Sequence, residues 1–237
     1  MRTQHVEKIL NTLKKTFPQP GAMELGSPYR TLVGVMLSAR TRDEQVLKLL
    51  PDFFVEFGTI ERLAEASIGQ IEQKISTIGM YHQKAKNLKK MARDVVEKYE
   101  GQIPSTMEEL ISLAGVGRKT ASVVLVSSFG KNAIAVDTHV HRVTNRLGWV
   151  KTTTPEKTEQ ALLKLIPARN QPTVNRVFVK FGRYICLSGK PRCWACPIQK
   201  NCVFKQKQLT HPKNAQFILS DIKRRELILE KIRTRLL

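Results

Sequence analysis

The chain has 237 residues, with 40 Lys and Arg against 20 Asp and Glu, a formal net charge of +20 and a pI near 10.1. A chain of this length can bury the core of one large domain or of two smaller ones. So large a positive excess indicates a polyanionic partner, and nucleic acid is favoured over a membrane. No apolar run is long enough to cross a bilayer, and the N-terminus lacks the apolar core of a signal peptide. We therefore expect a soluble, intracellular protein with no membrane partner.

Apolar residues recur at helical spacing from the start of the chain. The first helix has its apolar face within residues 6–13, and Pro18 and Pro20 follow it. Ser27 and Pro28 are typical of an N-cap and a first helical position. A third helix is expected to open near Asp43 and to be interrupted by Pro51.

The middle and the end of the chain continue in the same pattern. The short helix that ends near Leu113 is expected to begin with a capping box formed by Ser105 and Glu108. Residues 133–136 are too short for a helix and are predicted to be a buried, extended connection. No series of alternating strands is evident, so the fold class is predicted to be all-α. The other predicted helices are 59–66, 67–75, 84–99, 118–129, 138–147, 154–166 and 172–186.

The tail differs in composition from the rest of the chain. Residues 203–237 carry nine basic and three acidic residues, and the part from Ser220 places Ile222, Leu229, Ile232 and Leu236 on one helical face. Packing on the domain or on a partner is favoured over catalysis for this segment.

Two glycines one residue apart, between two predicted helices, make a turn where backbone N–H groups can approach a phosphate. Lys119 lies in the first turn of the second helix, and Asp137 follows eighteen residues later, after the buried connection. Taken singly, the turn can be purely structural, Lys119 a phosphate contact and Asp137 a helix cap. The residues of this turn predicted to contact DNA are Gly115, Val116, Gly117 and Arg118.

All four cysteines fall within seventeen residues, in the pattern Cys186-x6-Cys193-x2-Cys196-x5-Cys202. Such clustering indicates one local metal centre in a reducing compartment rather than disulfides. Four thiolates suit either zinc or an iron–sulfur cluster. Because the chain has a single Cys-x2-Cys pair, where zinc ribbons normally have two, the spacing favours iron–sulfur.

Together these motifs resemble the endonuclease III family of DNA glycosylases, within the helix-hairpin-helix glycosylase superfamily. The resemblance runs from Val6 to Cys202 and includes Leu37-Ser38-Ala39, Thr77-Ile78-Gly79-Met80-Tyr81 and Ala135-Val136-Asp137-Thr138-His139. It implies a two-domain, all-α helix-hairpin-helix glycosylase fold with a C-terminal iron–sulfur cluster loop, and a cleft between the domains for DNA and the extruded base. The implied parts are a helical barrel over 22–132 with the hairpin at about 105–125, a second domain of 1–21 plus 133–202 that holds a 4Fe-4S cluster, and a basic extension over 203–237.

The resemblance also implies an activity. The family members remove oxidised pyrimidines from duplex DNA in base-excision repair and cleave the strand at apurinic or apyrimidinic sites. Lys119 would be the nucleophile that attacks the sugar C1′ and forms a Schiff base, which allows β-elimination. Asp137 would accept a proton and stabilise the positive charge on the sugar. Cys186, Cys193, Cys196 and Cys202 would bind the cluster, and we expect a monomer acting on damaged or abasic duplex DNA. Its location would be intracellular and, if the source is a prokaryote, the cytoplasm at the nucleoid.

The resemblance implies DNA contacts for four further residues, and each of them also has a purely structural or solvent-exposed alternative. Met80 matches a position whose apolar side chain wedges beside the flipped base, and core packing is the alternative. Lys190 and Arg192 match phosphate contacts in the cysteine loop, or else belong to a solvated basic loop. His139 is expected to orient the Asp137 turn or to contact a phosphate rather than to act as an acid or base.

Two positions depart from the family pattern. Ala114 replaces a proline common before the hairpin glycines, which loosens the turn but removes no donor. Arg40 replaces a glutamine that fills the space left by the flipped base. Because arginine suits the acceptors of guanine better than the donor and acceptor of adenine, we expect a preference for lesions opposite guanine. Two alternatives stay open: a mismatch-directed glycosylase acting on uracil or thymine opposite guanine, and a non-catalytic DNA-binding module with a zinc site.

Overall fold

The computed structural model describes residues 3–17, 23–234 and 236. These residues form twelve α-helices and three short 3-10 helices, and they contain no β-strand, so the all-α prediction is confirmed. The α-helices are α1 (Thr3–Thr16), α2 (Pro28–Ser38), α3 (Asp43–Glu56), α4 (Ile60–Glu65), α5 (Ile68–Ile75), α6 (Tyr81–Tyr99), α7 (Met107–Ser112), α8 (Arg118–Phe129), α9 (Thr138–Arg146), α10 (Pro155–Leu165), α11 (Gln171–Tyr184) and α12 (Ala215–Thr234).

The chain divides into two compact units. Ala22–Gly130 and Arg225–Leu237 form one, here called the hairpin unit, and Met1–Gly21 and Lys131–Arg224 form the other, here called the cysteine unit. The chain therefore leaves the hairpin unit two residues before the expected boundary at 132, and the tail is shared between the units. Pro18, Pro20 and the expected boundary between residues 21 and 22 lie outside the described residues.

In the hairpin unit, α2 is the central helix because its sequence is apolar on nearly every side. Ser27 caps it by accepting a hydrogen bond from the N–H of Arg30, and its residues from Thr31 to Leu37 are all buried. It packs against α3, α6 and α8. Leu229 and Leu236 of the tail belong to the same core. The tail from Arg225 thus packs on this unit, as predicted for Leu229, Ile232 and Leu236, whereas Ile222 packs against the core of the cysteine unit.

In the cysteine unit, α11 packs against both α1 and α9. The core is built from the apolar face of α1, with Ile9 and Leu10 almost fully buried, and from the aromatic residues of α11. Phe178 lies 5.4 Å from Trp149 between ring centroids. This packing holds α11 in the core of the unit, and only Ile185 separates its C-terminal end from Cys186.

The expected interruption at Pro51 was wrong, because α3 continues through it to Glu56. A proline inside a helix loses one backbone hydrogen bond and costs roughly 3 kcal/mol. Here Pro51 lies on the exposed face, while Leu50, Phe53 and Phe54 on the other face are buried. The burial of these three side chains outweighs the local cost.

The capping box of α7 was predicted one residue too early. Thr106, not Ser105, is the N-cap, and its Oγ1 accepts from the N–H of Glu109 and donates to the Glu109 carboxylate. The sequence contains two overlapping Ser/Thr-x-x-Glu patterns, and local chemistry does not distinguish them. The register that forms is the one that buries Leu110 in the core.

Across the described residues, no helix has both the length and the apolar character required to cross a membrane.

Candidate active site

The turn between α7 and α8 brings the backbone close to a side chain of α6. Gly115 has φ +75°, a left-handed conformation that glycine adopts without strain. A Cβ atom built there would lie 2.7 Å from Nδ2 of Asn87. Val116 is buried, and its N–H donates to the carbonyl of Leu113 at 3.1 Å. The turn is therefore anchored at Val116, and its first position accepts only glycine.

The second glycine of the turn serves a different purpose. Gly117 is the N-cap of α8 in an extended conformation, with no side-chain cap, and a Cβ there would have no atom within 4 Å. It is exposed, and the first-turn N–H groups of α8 are not covered by a capping side chain. An uncapped, exposed helix N-terminus of this kind favours an anion such as a DNA phosphate.

Lys119 and Arg118 lie in the first turn of α8 and are both exposed, whereas Ala121, Val124 and Leu125 hold the helix in the core. Lys119 therefore presents its amine on the same surface as the open N-terminus, within the hairpin unit.

Arg40 and Met80, also in the hairpin unit, share an unusual backbone conformation. Their φ angles are +55° and +61°, and Glu100 is the only other non-glycine residue with positive φ among the described residues. Such conformations cost of order 1 kcal/mol each and are often retained at functional sites. Met80 is 53% exposed and forms the N-cap of α6. The core-packing alternative for Met80 was therefore wrong.

In the cysteine unit, Asp137 ends the buried segment 133–136 and caps α9. Its Oδ1 atom accepts from the backbone N–H groups of His139 and Val140, both at 2.9 Å. The cap uses one carboxylate oxygen for both bonds and so does not involve Oδ2. Asp137 is half-buried. The sequence thus predicted both the extended connection and the cap.

His139 is half-buried within the cysteine unit. A Cβ at Gly182 would lie 2.8 Å from both Cβ and Nδ1 of His139, and Nη2 of Arg142 lies 3.1 Å from Nδ1. Burial lowers the pKa of His139; the nearby Asp137 carboxylate partly offsets this and Arg142 adds to it. A neutral imidazole held between α9 and α11 fits a residue that orients the Asp137 turn.

All four cysteines line one pocket, together with apolar side chains such as Phe181 and Ile198 and with the cations Arg146 and Lys207. Burial raises the pKa of the Cys196 thiol to about 12 and also raises that of Cys202. Thiolates there therefore need a positive charge close by. Among the described residues, no group of three His, Cys, Asp or Glu side chains converges as it would around a single metal ion.

Two arginines that sequence reasoning overlooked hold the start of the cysteine loop. Arg142 donates to the carbonyls of Gly182 and Cys186, each at 2.9 Å. Arg146 donates to the carbonyls of Leu187 and Ser188 and lies 3.4 Å from Sγ of Cys186. The signal available in the sequence was their spacing of four residues, which places both on one face of α9.

The other predicted contacts of the loop differ in exposure. Lys190 is exposed, while Arg192 is half-buried and its Nη1 donates to the carbonyl of Tyr184 at 2.9 Å. This bond gives Arg192 a role in folding the loop back onto the end of α11.

Comparison with known proteins identifies the family. Residues 33–168 match the model of the HhH-GPD superfamily base excision DNA repair proteins. The chain is 43% identical to endonuclease III of Thermotoga maritima over 86% of this chain and 94% of that protein, and 37% identical to endonuclease III of Escherichia coli K12 over 84% and 95%. The chain belongs to the endonuclease III family.

Solved structures of similar proteins extend the match to three dimensions. A trapped endonuclease III–DNA covalent intermediate, an estranged-adenine complex, aligns with a TM-score of 0.79 and 36% identity over 86% of this chain and 96% of that one. A thermostable thymine-DNA glycosylase aligns with a TM-score of 0.74 and 29% identity over 84% and 94%. As an endonuclease III family member, the chain is a DNA glycosylase with apurinic/apyrimidinic lyase activity in base-excision repair, with duplex DNA as its partner. The non-catalytic module was therefore wrong.

Proposed function

We propose that this enzyme removes oxidised pyrimidines from duplex DNA, with Lys119 as nucleophile and Asp137 as proton acceptor and charge stabiliser. The observation that carries this assignment is the exposed amine of Lys119 in the first turn of an uncapped helix, where a phosphate held by the hairpin would bring the neighbouring sugar close. A relative trapped as a covalent intermediate with DNA supports a covalent step.

The chemistry follows in two steps. The neutral Nζ of Lys119 attacks C1′, the C1′–base bond breaks, and the base leaves with the bonding electron pair and takes up a proton. Nζ then gives a proton to the Asp137 carboxylate, the C1′–O4′ bond breaks with its electron pair going to O4′, which takes up a proton, and a protonated imine forms between Nζ and C1′. Loss of the C2′ proton to solvent then breaks the C3′–O bond, and the 3′ phosphate leaves with that bonding pair. Asp137 fits the stabilising role because its Oδ1 is fixed by two backbone N–H donors, so the carboxylate is oriented before the reaction begins.

Borohydride reduction on DNA with an abasic site tests this assignment. The wild-type chain should form a reduced covalent adduct, and Lys119→Gln should form none. Lys90→Gln removes a lysine from the exposed face of α6 and serves as the matched control, with full trapping. Undiminished trapping by Lys119→Gln would reject Lys119 as the nucleophile.

A mismatch-directed activity is the second candidate, because Arg40 suits an orphaned guanine and the chain is similar to a thymine-DNA glycosylase. Release of uracil or thymine opposite guanine, measured beside release of an oxidised pyrimidine from the same sequence, ranks the two activities.

The endonuclease III family generally contains iron–sulfur clusters, and we propose that Cys186, Cys193, Cys196 and Cys202 bind a 4Fe-4S cluster here. The donor set fits, because four thiols line one largely apolar pocket without converging on one point, and a four-iron cluster offers a separate iron to each cysteine. Arg146 near Cys186 reduces the repulsion among thiolates. The bound cluster would hold the loop that carries Lys190.

The purified chain should accordingly be brown and contain iron and sulfide, with visible absorption that bleaches when the cluster is lost. A colourless protein that contains one zinc would contradict the cluster. Because the substrate is chromosomal DNA, we place the enzyme in the compartment that holds DNA, which is the cytoplasm in a prokaryote.

A further inference from the structure

Lys84 is a buried cation in the first turns of α6. Lys84 is only 8% exposed. The Nζ atom donates to the carbonyl of Leu37 at 2.8 Å and to Oγ1 of Thr41 at 2.7 Å. Both acceptors are neutral, so neither repays the loss of hydration as an opposite charge would, and burial lowers the pKa of Lys84.

The two acceptors lie on either side of Arg40. Leu37 belongs to the last turn of α2, and Thr41 closes the following turn through a bond from its N–H to the carbonyl of Ser38 at 3.0 Å. Arg40 lies between them with φ +55° and its side chain exposed. The ammonium of Lys84 therefore holds both ends of the turn that carries Arg40.

The same residue is joined to Met80. The backbone N–H of Lys84 donates to the carbonyl of Met80 at 3.0 Å, which closes the first turn of α6. One residue thus connects the two exposed positions, Arg40 and Met80, whose backbones are in the left-handed conformation. One turn further along α6, Asn87 lies against Gly115 of the hairpin.

An apolar side chain at position 84 would avoid the cost of burying an ammonium and would pack in the same core, so stability alone does not explain the lysine. Holding two strained, exposed turns in register does explain it, because a charged donor makes stronger hydrogen bonds than a neutral one.

We propose that Lys84 is a positioning residue for base excision: its ammonium holds the Arg40 turn against the start of α6, so that Arg40 and Met80 meet the DNA in a fixed relative orientation. This inference rests on the proposed function in one respect, since it takes Arg40 and Met80 as the side chains that engage the lesion pair.

The test compares Lys84→Met with Lys90→Met. Each variant removes one positive charge from α6, so the change in long-range attraction to DNA is similar in both. Lys90 is exposed, whereas Lys84 is buried against the Arg40 turn. Duplexes with an oxidised pyrimidine opposite guanine or adenine report excision, and a duplex with an abasic site reports imine trapping by Lys119.

For Lys84→Met we expect excision opposite guanine to fall about tenfold or more, as loss of a charged hydrogen bond predicts. The guanine-to-adenine ratio should move towards one, and trapping at saturating abasic DNA should stay within about twofold of wild type. Lys90→Met should keep the wild-type ratio. The proposal would be overturned if Lys84→Met kept the wild-type excision rate and guanine-to-adenine ratio. An equal loss of excision and of imine trapping would also overturn it, because a merely structural role predicts that result.

If Lys84→Met does not fold, Thr41→Val decides the matter, because it removes one acceptor at nearly constant volume. A shift of the guanine-to-adenine ratio in the same direction supports the proposal, and an unchanged ratio overturns it.

Failure of the proposed function is recognised from the wild-type chain: no imine trapping by wild type rejects the lyase chemistry. Lys84 is then judged by tryptic cleavage after Arg40 in the DNA-free chain, where faster cleavage in Lys84→Met than in Lys90→Met supports the clamp and equal cleavage rejects it.

Discussion

A Cβ atom at Gly115 would lie 2.7 Å from Nδ2 of Asn87, whereas a Cβ at Gly117 would meet no atom within 4 Å. The two glycines of the hairpin are therefore required for different reasons. The first lies against Asn87 of α6 and has φ +75°, and the second faces open space at the N-terminus of α8.

Gly115→Ala should lower the free energy of unfolding by about 1–3 kcal/mol, because the methyl group meets Asn87 and the backbone conformation is strained. Gly117→Ala should leave thermal unfolding nearly unchanged but weaken binding to abasic DNA, because its methyl group occupies the space through which a phosphate approaches. Calorimetry and DNA titration separate the two effects. Equal destabilisation by both variants would contradict this division.

Asp137 combines a structural and a proposed chemical role, and substitution can separate them. Asn is as good an N-cap as Asp, so Asp137→Asn should unfold at nearly the wild-type temperature while excision falls by roughly 100-fold or more. Asp137→Ala should lose the cap as well, at a cost of about 1 kcal/mol. Thr154→Ala removes the cap of α10, where Oγ1 accepts from the N–H of Lys157, and should lower stability but leave excision intact. An active Asp137→Asn would exclude the carboxylate from the chemistry.

His139 should make the fold sensitive to acid. Its pKa in the folded chain is lower than the ordinary value of 6.5, chiefly because of burial. The unfolded chain therefore binds the proton more tightly, so the stability from neutral His139 is present above pH 6.5 and is lost as the pH falls below it. His139→Gln should show a shallower decline in unfolding temperature between pH 7.5 and 5 than wild type, while at pH 7.5 it should unfold at a temperature close to that of wild type. Parallel curves for wild type and His139→Gln would refute the assignment.

Pro51 offers a stabilising substitution. α3 passes through it on the exposed face, so Pro51→Ala restores a backbone hydrogen bond without disturbing the buried side chains. We expect a gain of about 1–3 kcal/mol in the free energy of unfolding. Asp52→Ala at the next exposed position should change stability by less than about 0.5 kcal/mol. A destabilised Pro51→Ala would mean that proline is needed for the path of the helix.

Helix ends and motifs were largely predictable because they depend on residues close in sequence. Ser27, Asp137 and Thr154 each cap the helix that immediately follows. The bounds predicted for α8, 118–129, are those of the structure. The hairpin and the cysteine spacing pointed to the family, and the comparisons confirmed it.

The sequence by itself determined the helical class, most caps, the family and the residues to which the chemistry is assigned, since each is expressed within a few positions of the chain. Only the tertiary structure decided that Pro51 lies on a solvent face, that Thr106 rather than Ser105 caps α7, and that Lys84 joins Arg40 to Met80. These outcomes depend on which faces of the helices pack together, and the Lys84 contacts join residues 47 and 43 positions apart. That packing is decided by the burial of side chains and by the cost of leaving a hydrogen-bond donor unpaired, and neither can be read from local spacing in the sequence.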